Sequence, residues 1–398
     1  MRVFLSCLVC RIVTFVLHKL GRGATSMPGK VALKVKRNVL KDLSENTKVI
    51  VVTGTNGKTT SCRILEEGLK KAGKSYFINK SGANLITGVT ASFIMNSTIT
   101  GKCKKDYAII ECDENAFKEV SRYIHCDVIL VTNVFRDQLD RYGEVTHTLN
   151  AIKESVKNLP NAIVCLDADC SLTYSMSKEI PNKIITFGVN VPFDKNAKAP
   201  EISDAKYCIF CKHEYDYTYH TYGHLGGFVC PNCGYKRPQP DFAVESVEEM
   251  KNDHSVVVAN LNGDRNIIRV NIGGAYNIYN AIGCAAALTA FGIDEKTVID
   301  AIEHFNGAFG RMEHFKAGDN TVNLILVKNP AGFSQTMNFL KNIDDDFTLI
   351  LSLNDNAADG RDISWIWDVD FAGIFEKVNV KEIYVTGKRC YDMAAVSY

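Results

Sequence analysis

The stretch "VVTGTNGKTTS" (Val51–Ser61) decides the fold of this chain. Before it runs "KVIVVT" (Lys48–Thr53), a continuous β-branched run that reads as a strand buried on both faces. After it runs "TTSCRILEEGLKKAG" (Thr59–Gly73), with helical spacing up to a glycine stop. Strand, glycine loop and helix form the first βα unit of a parallel sheet. Such a loop turns backbone N–H groups and the positive end of the helix dipole toward an anion. The spacing departs from G-x-x-x-x-G-K-[ST], which wants a glycine at position 52; Val52 stands there, and the glycine comes two places late at Gly54. The string Gly57-Lys58-Thr59 keeps the chemistry: Lys58 can reach the β- and γ-phosphates, and the Thr59 hydroxyl can ligate Mg²⁺. A turn that merely opens a helix is the bland alternative, and a Gly-Lys-Thr string at that place argues against it.

Working outward, 398 residues suggest two or three domains, and 46% apolar with 23% charged residues is the balance of a soluble globular protein. A formal charge of +1 gives no global field for nucleic acid or a membrane, so either partner must be argued locally. Fourteen cysteines spread along a long chain beside a phosphate loop read as reduced thiols or metal ligands, which implies the cytoplasm. The apolar run "VFLSCLVCRIVTFVL" (Val3–Leu17) is interrupted by Arg11 and is short for a membrane span. Three readings stay open: a helix packed on the protein, a helix docked on a membrane surface or partner, and a cleaved signal. The basic residues Lys19, Arg22, Lys30, Lys34, Lys36 and Arg37 suit the first two or a solvated face.

More buried strands are expected at "YAIIEC" (Tyr107–Cys112), "DVILVT" (Asp127–Thr132), "AIVCLD" (Ala162–Asp167) and "KIITFG" (Lys183–Gly188), with helices between several of them: an α/β architecture. "SVVVANLNGDRNIIRVNI" predicts a β-hairpin turning at Asn262 and Gly263, and "YNIYNAIGCAAALTAFG" a helix with a glycine stop. From about Phe315 a smaller Rossmann-like unit is expected, with "NLILVKNP", "FTLILSLND" and "EIYVTG" as three buried strands.

The insert "CIFCKHEYDYTYHTYGHLGGFVCPNCGY" supplies Cys208, Cys211, Cys230 and Cys233. Two C-x-x-C knuckles suit one tetrahedral zinc with four thiolates and no open position, hence a structural ion. His213, His220 and His224 read as surface or packing residues. In "LSLNDNAADGRDISWIWD", Asp355, Asp359, Arg361 and Asp362 follow a parallel strand at the end where open α/β sheets place their sites; a solvated turn is the bland alternative for Asp359 and for Asp368.

Thr53-Gly54-Thr55-Asn56-Gly57-Lys58-Thr59-Thr60 resembles the phosphate loop of the Mur ligase family, which activates a carboxylate as an acyl phosphate and lets an amine displace the phosphate. "ECDE" (Glu111–Glu114) resembles the family's Mg²⁺ carboxylate after a strand, with Glu111 as the ligand and Asp113 and Glu114 as helix caps. "VTNVFRDQLDRYG" is similar to its T-N-x-x-x-D-H-L-D segment, with Gln138 in place of the histidine. "GGAYNIYNA" resembles its asparagine helix, with Asn277 and Asn280 on one face, and "GRMEHF" its G-R-x-E string, which puts Arg311 near the nucleotide. With the cysteine insert and the D-G-R-D-x-S-W loop, the chain from about Gly21 to about Met393 resembles the MurT branch of the family, the synthetase subunits of lipid II isoglutaminyl synthase.

The resemblance implies a Mur-ligase-type P-loop central domain with a Cys₄ zinc-ribbon insert, followed by a smaller Rossmann-like domain. The expected divisions are 1–46 (apolar helix and basic arm), 47–314 (ATP-binding domain, insert about 201–240) and 315–398. It implies ATP, Mg²⁺ and structural Zn²⁺ as cofactors, lipid II as a membrane-bound substrate, and no nucleic acid. A GatD-like glutamine amidotransferase would form the heterodimer and deliver ammonia. In it, Asp355 would complete the partner's triad, and Lys328 is a candidate for steadying the acyl phosphate. Family members run on for some tens of residues after "YDMA" (Tyr391–Ala394), so a shortened end is an expectation too. Rival readings are another Mur-type amino-acid ligase or folylpolyglutamate synthase, a zinc-ribbon nucleic-acid binder with a regulatory ATPase core, and a membrane-tethered scaffold.

Overall fold

The structure is a computed structural model, and it describes residues 1–21, 26–79, 82–136, 145–193, 204–251, 253–305, 313–327, 329–340, 346–356, 361–369, 371, 375 and 380–397. Its frame is one nine-stranded sheet in the order β11-β10-β9-β6-β5-β4-β1-β3-β2. The strands are β1 (Lys48–Thr53), β2 (Tyr76–Ile78), β3 (Tyr107–Glu111), β4 (Val128–Val131), β5 (Ile163–Asp167), β6 (Ile184–Val189), β9 (Phe242–Met250), β10 (Ser255–Leu261) and β11 (Asp264–Val270). A separate ribbon pairs β7 (Asp216–His220) with β8 (Gly226–Val229).

The sheet is parallel from β2 to β6, β9 joins β6 in parallel, and β10 and β11 add an antiparallel meander. Strand β1 sits between β4 and β3, so the chain winds to one side of it and then to the other. That is a topological switch point, where open α/β sheets bind ligands beyond the carboxyl ends of the strands. The loop at Gly54 opens there.

The β-branched runs fill the interior: Val49, Ile50, Val51 and Val52 are fully buried, as expected of a parallel strand covered on both faces. The hairpin turns at Asn262 (φ 55°) and Gly263 (φ 114°), the doubly left-handed geometry that Asn-Gly favours. The helix Ala275–Ala290 carries small residues inward and is buried along most of its length.

A second hydrophobic core, distinct from the first, gathers Phe333, Met337, Leu351, Trp365, Ile366 and Met393. Around it lie the helix Pro330–Leu340, the parallel pair β14 (Phe347–Ser352) and β15 (Val380–Thr386), and the helix Cys390–Ser397. The expectation of three buried strands here is corrected. β12 (Glu313–Ala317) and β13 (Asn320–Leu324) form an antiparallel hairpin that takes only the start of "NLILVKNP". Ile325 and Val327 pack on the second core while Leu324 and Leu326 face out, so an apolar run that looked two-sided is covered on one side. The same holds for β14 and β15, where Ile350 and Tyr384 stay exposed.

The N-terminal run is a helix, Arg2–Lys19, packed on the protein by one face. The described part of the basic arm folds into helices Met27–Val35 and Val39–Ser44, whose Ala32, Val39, Leu40 and Leu43 enter the main core. Among the described residues no helix is long and apolar enough to cross a membrane.

Candidate functional site

The phosphate loop is braced from three sides. Gly54 (φ 120°) and Gly57 (φ 87°) adopt backbone that L side chains rarely take, and neither has room for one. A Cβ on Gly54 would lie 2.4 Å from Thr132 Oγ1, and one on Gly57 would lie 2.1 Å from Asn280 Oδ1. The Asn56 N–H donates to Asn133 Oδ1 (3.0 Å), and Asn133 and Thr132 donate back to the Asn56 carbonyl. Thr55 is clasped by the backbone of Phe135, donating to its carbonyl at 3.2 Å and accepting from its N–H at 3.0 Å. Asn329, in the C-terminal section, donates to Asn56 Oδ1 at 3.0 Å.

Lys58 opens the helix Lys58–Lys71 and folds back over the loop. Its ammonium donates to the Gly54 and Thr55 carbonyls and to Glu114 Oε1 (2.6 Å). Glu114 is not a helix cap: Asp113 does that work, accepting from the Asn115 and Ala116 N–H groups, while Glu114 is buried against Lys58. Burial pushes the Glu114 carboxyl above its ordinary value, with Lys58 pulling the other way. Thr59 Oγ1 donates to Glu111 Oε1 at 3.2 Å, so the hydroxyl and carboxylate expected on one magnesium already meet. Asn280 donates to Asn277 Oδ1 (2.9 Å), and both side chains are buried behind the loop.

This donor set fits a magnesium–nucleotide: a lysine, a hydroxyl paired with a carboxylate, and the N-terminus of a helix that follows a glycine loop. Arg311, Lys328, Gln138 and Asp359 lie outside the described residues.

The four cysteines converge. Cys208 Sγ is 3.6 Å from Cys233 Sγ, Cys211 Sγ is 3.4 Å from Cys230 Sγ, and all four sulfurs lie within 4.8 Å of one another. Those distances are far beyond a disulfide bond and near the roughly 3.8 Å edge of a tetrahedron of about 2.3 Å metal–sulfur bonds. The two knuckles repeat one turn. In each, the fifth residue is left-handed (Lys212, φ 63°; Gly234, φ 73°) and donates to the first cysteine's carbonyl. The sulfurs therefore fit a four-thiolate ion.

The insert reaches the phosphate loop through aromatic contacts. Phe135, which clasps Thr55, stacks on Tyr222 at 5.7 Å and packs on His224 at 4.5 Å between ring centroids. His224 is buried, with Nε2 3.3 Å from Cys170 Sγ, and burial lowers its pKa to about 4. His213 is exposed and His220 half-buried. Asp169 pins the same corner, accepting from Arg237 Nε (2.6 Å), the Val189 N–H (2.8 Å) and the Tyr279 hydroxyl. Arg136 ties the segment after β4 to Asp204, at the start of the insert, and to Asp368 (3.0 Å) in the C-terminal section.

Asp355 follows β14 on the surface. It is half-buried, and Arg389 Nη1 donates to its Oδ2 at 3.3 Å; Arg389 also grips Asp392. Cys284, read as core, is fully buried with its thiol pushed up to about 12 by burial.

Sequence reasoning missed Glu114 as the partner of Lys58, Asn133 and Asn329 as supports of Asn56, and the Asp169–Arg237–Tyr279 pin. A polar residue at each end of an apolar run was the available signal for Asn133 and Asp169; nothing local marked Asn329 or Arg237.

A switch-point phosphate loop on this sheet, followed by a second small α/β core, defines a Mur-ligase-type α/β protein. Residues 52–233 match the Mur ligase middle domain family, and residues 326–396 match the MurT ligase C-terminal family. The chain is similar to the MurT subunit of lipid II isoglutaminyl synthase (glutamine-hydrolyzing) from Streptococcus pneumoniae, 36% identical over 99% of this chain and 86% of the relative. The corresponding subunit of Staphylococcus aureus is 33% identical over 94% of this chain and 82% of the relative. Among solved structures, a pseudomurein peptide ligase type C from Methanothermus fervidus superposes with a TM-score of 0.64 at 21% identity, over 88% of this chain and 78% of that one, which is a likeness of fold. The chain belongs to the MurT family.

Proposed function

We propose that this chain is the synthetase subunit of a lipid II isoglutaminyl synthase, a carbon–nitrogen ligase that uses ATP and takes its nitrogen from glutamine. The substrate is the α-carboxylate of D-glutamate in the lipid II stem peptide, and the product is D-isoglutamine. The end-to-end likeness to the Streptococcus pneumoniae subunit carries this reading, and the convergence of Lys58, Thr59 and Glu111 supports it.

Bound magnesium–ATP supplies an electrophilic γ-phosphoryl group. Gly54, Thr55, Asn56, Gly57 and Thr60 would cradle the phosphates, Thr59 and Glu111 would hold magnesium, and Asn277, Asn280 and Arg311 would line the nucleotide site. A carboxylate oxygen of the substrate attacks the γ-phosphorus and ADP leaves. Ammonia then attacks the acyl carbon, the C–O bond breaks, and phosphate departs with that oxygen. Lys58 neutralises charge spread over the transferring oxygens. The bonds from its ammonium to Glu114 and two loop carbonyls, which keep it at the loop, support that role.

Ammonia would come from a GatD-like glutaminase, whose catalytic imidazole Asp355 would orient. Zinc on Cys208, Cys211, Cys230 and Cys233 would be structural, and the work would be done in the cytoplasm at the inner face of the membrane. Metal analysis should return one zinc per chain, and none in Cys211→Ser/Cys230→Ser; an equal metal content in both would remove the zinc assignment. The relatives' names do not favour another amino-acid ligase or a nucleic-acid binder.

The test is phosphate release from ATP with detergent-dispersed lipid II. Ammonia should support turnover by the chain alone, and glutamine should do so only when the glutaminase is added. Turnover with an amino acid in place of ammonia would point to another ligase.

A further inference from the structure

We propose that the outward face of the N-terminal helix Arg2–Lys19 is a docking site for an anionic lipid bilayer. The inference stands on this helix and its charges and goes beyond the ligase reading.

The helix is packed inside out. A helix of a water-soluble protein turns its large apolar side chains to the core, yet here the buried residues are Ser6, Cys7, Cys10 and Thr14. Their small side chains let the helix sit close on its neighbour, and Ser6 Oγ donates to the Ala32 carbonyl at 3.2 Å. The large residues point the other way: Phe4, Leu5, Ile12, Phe15, Val16 and Leu20 are between 45% and 64% exposed. At about 100° per residue they fall within roughly 160° of the helix circumference, so they form one face. Exposed apolar faces of this kind mark interaction sites.

Charge selects the occupant. The first 41 residues contain nine Lys or Arg and no Asp or Glu, whereas the whole chain carries only +1, so the remainder carries −8. Lys19 lies over the Phe15 ring at 4.9 Å, beside the apolar face. An apolar helix face amid a purely cationic segment is the pattern of a helix lying in the plane of an anionic membrane surface. The helix lies on the bilayer and does not cross it: Arg11 is turned inward, where its guanidinium bonds the Ile94 and Ser97 carbonyls. An acidic protein partner would also match the charge; it becomes an outcome of the test.

The experiment is co-sedimentation of the full chain with vesicles of phosphatidylcholine containing about one-third phosphatidylglycerol and no lipid II. The result is then independent of whether the ligase reaction with dispersed lipid II succeeds. Binding is expected, weakened about tenfold on neutral vesicles or in about 0.5 M salt, where screening shortens to roughly 4 Å. Phe4→Glu/Ile12→Glu/Phe15→Glu should lose about tenfold in binding with an unchanged melting temperature, because all three side chains are exposed. Ile267→Glu, on exposed β11, should bind as the parent does. The proposal is overturned by failure to bind the anionic vesicles, by equal binding to neutral ones, or by undiminished binding of the triple variant. A dimer, or a complex with an added glutaminase, that the triple variant alone abolishes in the absence of vesicle binding would overturn it too, and assign the face to that protein.

Discussion

The loops at Gly54–Thr60 and at Asp355 both follow the carboxyl ends of parallel strands, yet they are built in opposite ways. The first is locked. Asn133 and Phe135, Asn280, and Asn329 hold it from three segments of the chain, and its lysine has a buried partner in Glu114. The second is open. Asp355 is held by an ion pair with Arg389, on a sheet whose Ile350 and Tyr384 are exposed. A site that works on its own must be preorganised before its ligand arrives, because donors already fixed cost no reorganisation in the transition state. A site that completes itself against a second protein needs its carboxylate accessible, and a surface ion pair holds one at little cost.

Breaking the locked loop should give the largest effect. Lys58→Ala should lower ammonia-driven turnover about a thousandfold, the scale for removing a charge-stabilising donor. The melting temperature reports whether the loss is local. Wild-type rates in this variant would remove Lys58 from phosphoryl transfer.

The open loop should fail differently. Asp355→Asn, assayed with the glutaminase, should lose glutamine-driven turnover about a hundredfold or more and keep ammonia-driven turnover. If both fall together, Asp355 acts in the synthetase and not on the partner.

The brace between the insert and the locked loop can be read from pH. An unfolded chain protonates the His224 imidazole near its ordinary value of 6.5, the native chain only near 4. Between those values the unfolded state holds more protons, so stability falls as pH drops from 6.5 toward 4 and this contribution levels off below. From pH 7 to pH 5 the loss should be about 2 kcal/mol, and urea unfolding of His224→Phe should lack that part of the slope. An identical slope would mean that the imidazole is not shielded.

The smallest effect belongs to the surface pair. Arg389→Gln should change glutamine-driven turnover only a few-fold, as expected of an exposed ion pair, and leave ammonia-driven turnover alone.

Much of this was legible in the sequence because local rules decide it. The β-branched runs, the Asn262–Gly263 turn and the Gly57-Lys58-Thr59 string each carry their geometry in a few adjacent residues, and the cysteine knuckles carry theirs in spacing. What escaped was decided by distant contacts. Glu114 looked like a cap because its role depends on Lys58, fifty-six positions away. Asn329 matters only because the C-terminal section meets the phosphate loop. "NLILVKNP" misled because an apolar run does not say whether one or both of its faces will be covered. The N-terminal helix left its readings open for the same reason: sequence gives the wheel, and only packing shows that the small side is the inner one.

The account rests on the nucleotide being spent to activate a carboxyl group, and oxygen tracing tests that directly. With the α-carboxylate of the lipid II D-glutamate labelled with ¹⁸O, and ATP, ammonia and the full chain present, each phosphate released should carry one labelled oxygen, with the other retained in the amide. Unlabelled phosphate, released at the rate of amide formation, would contradict an acyl phosphate at this site.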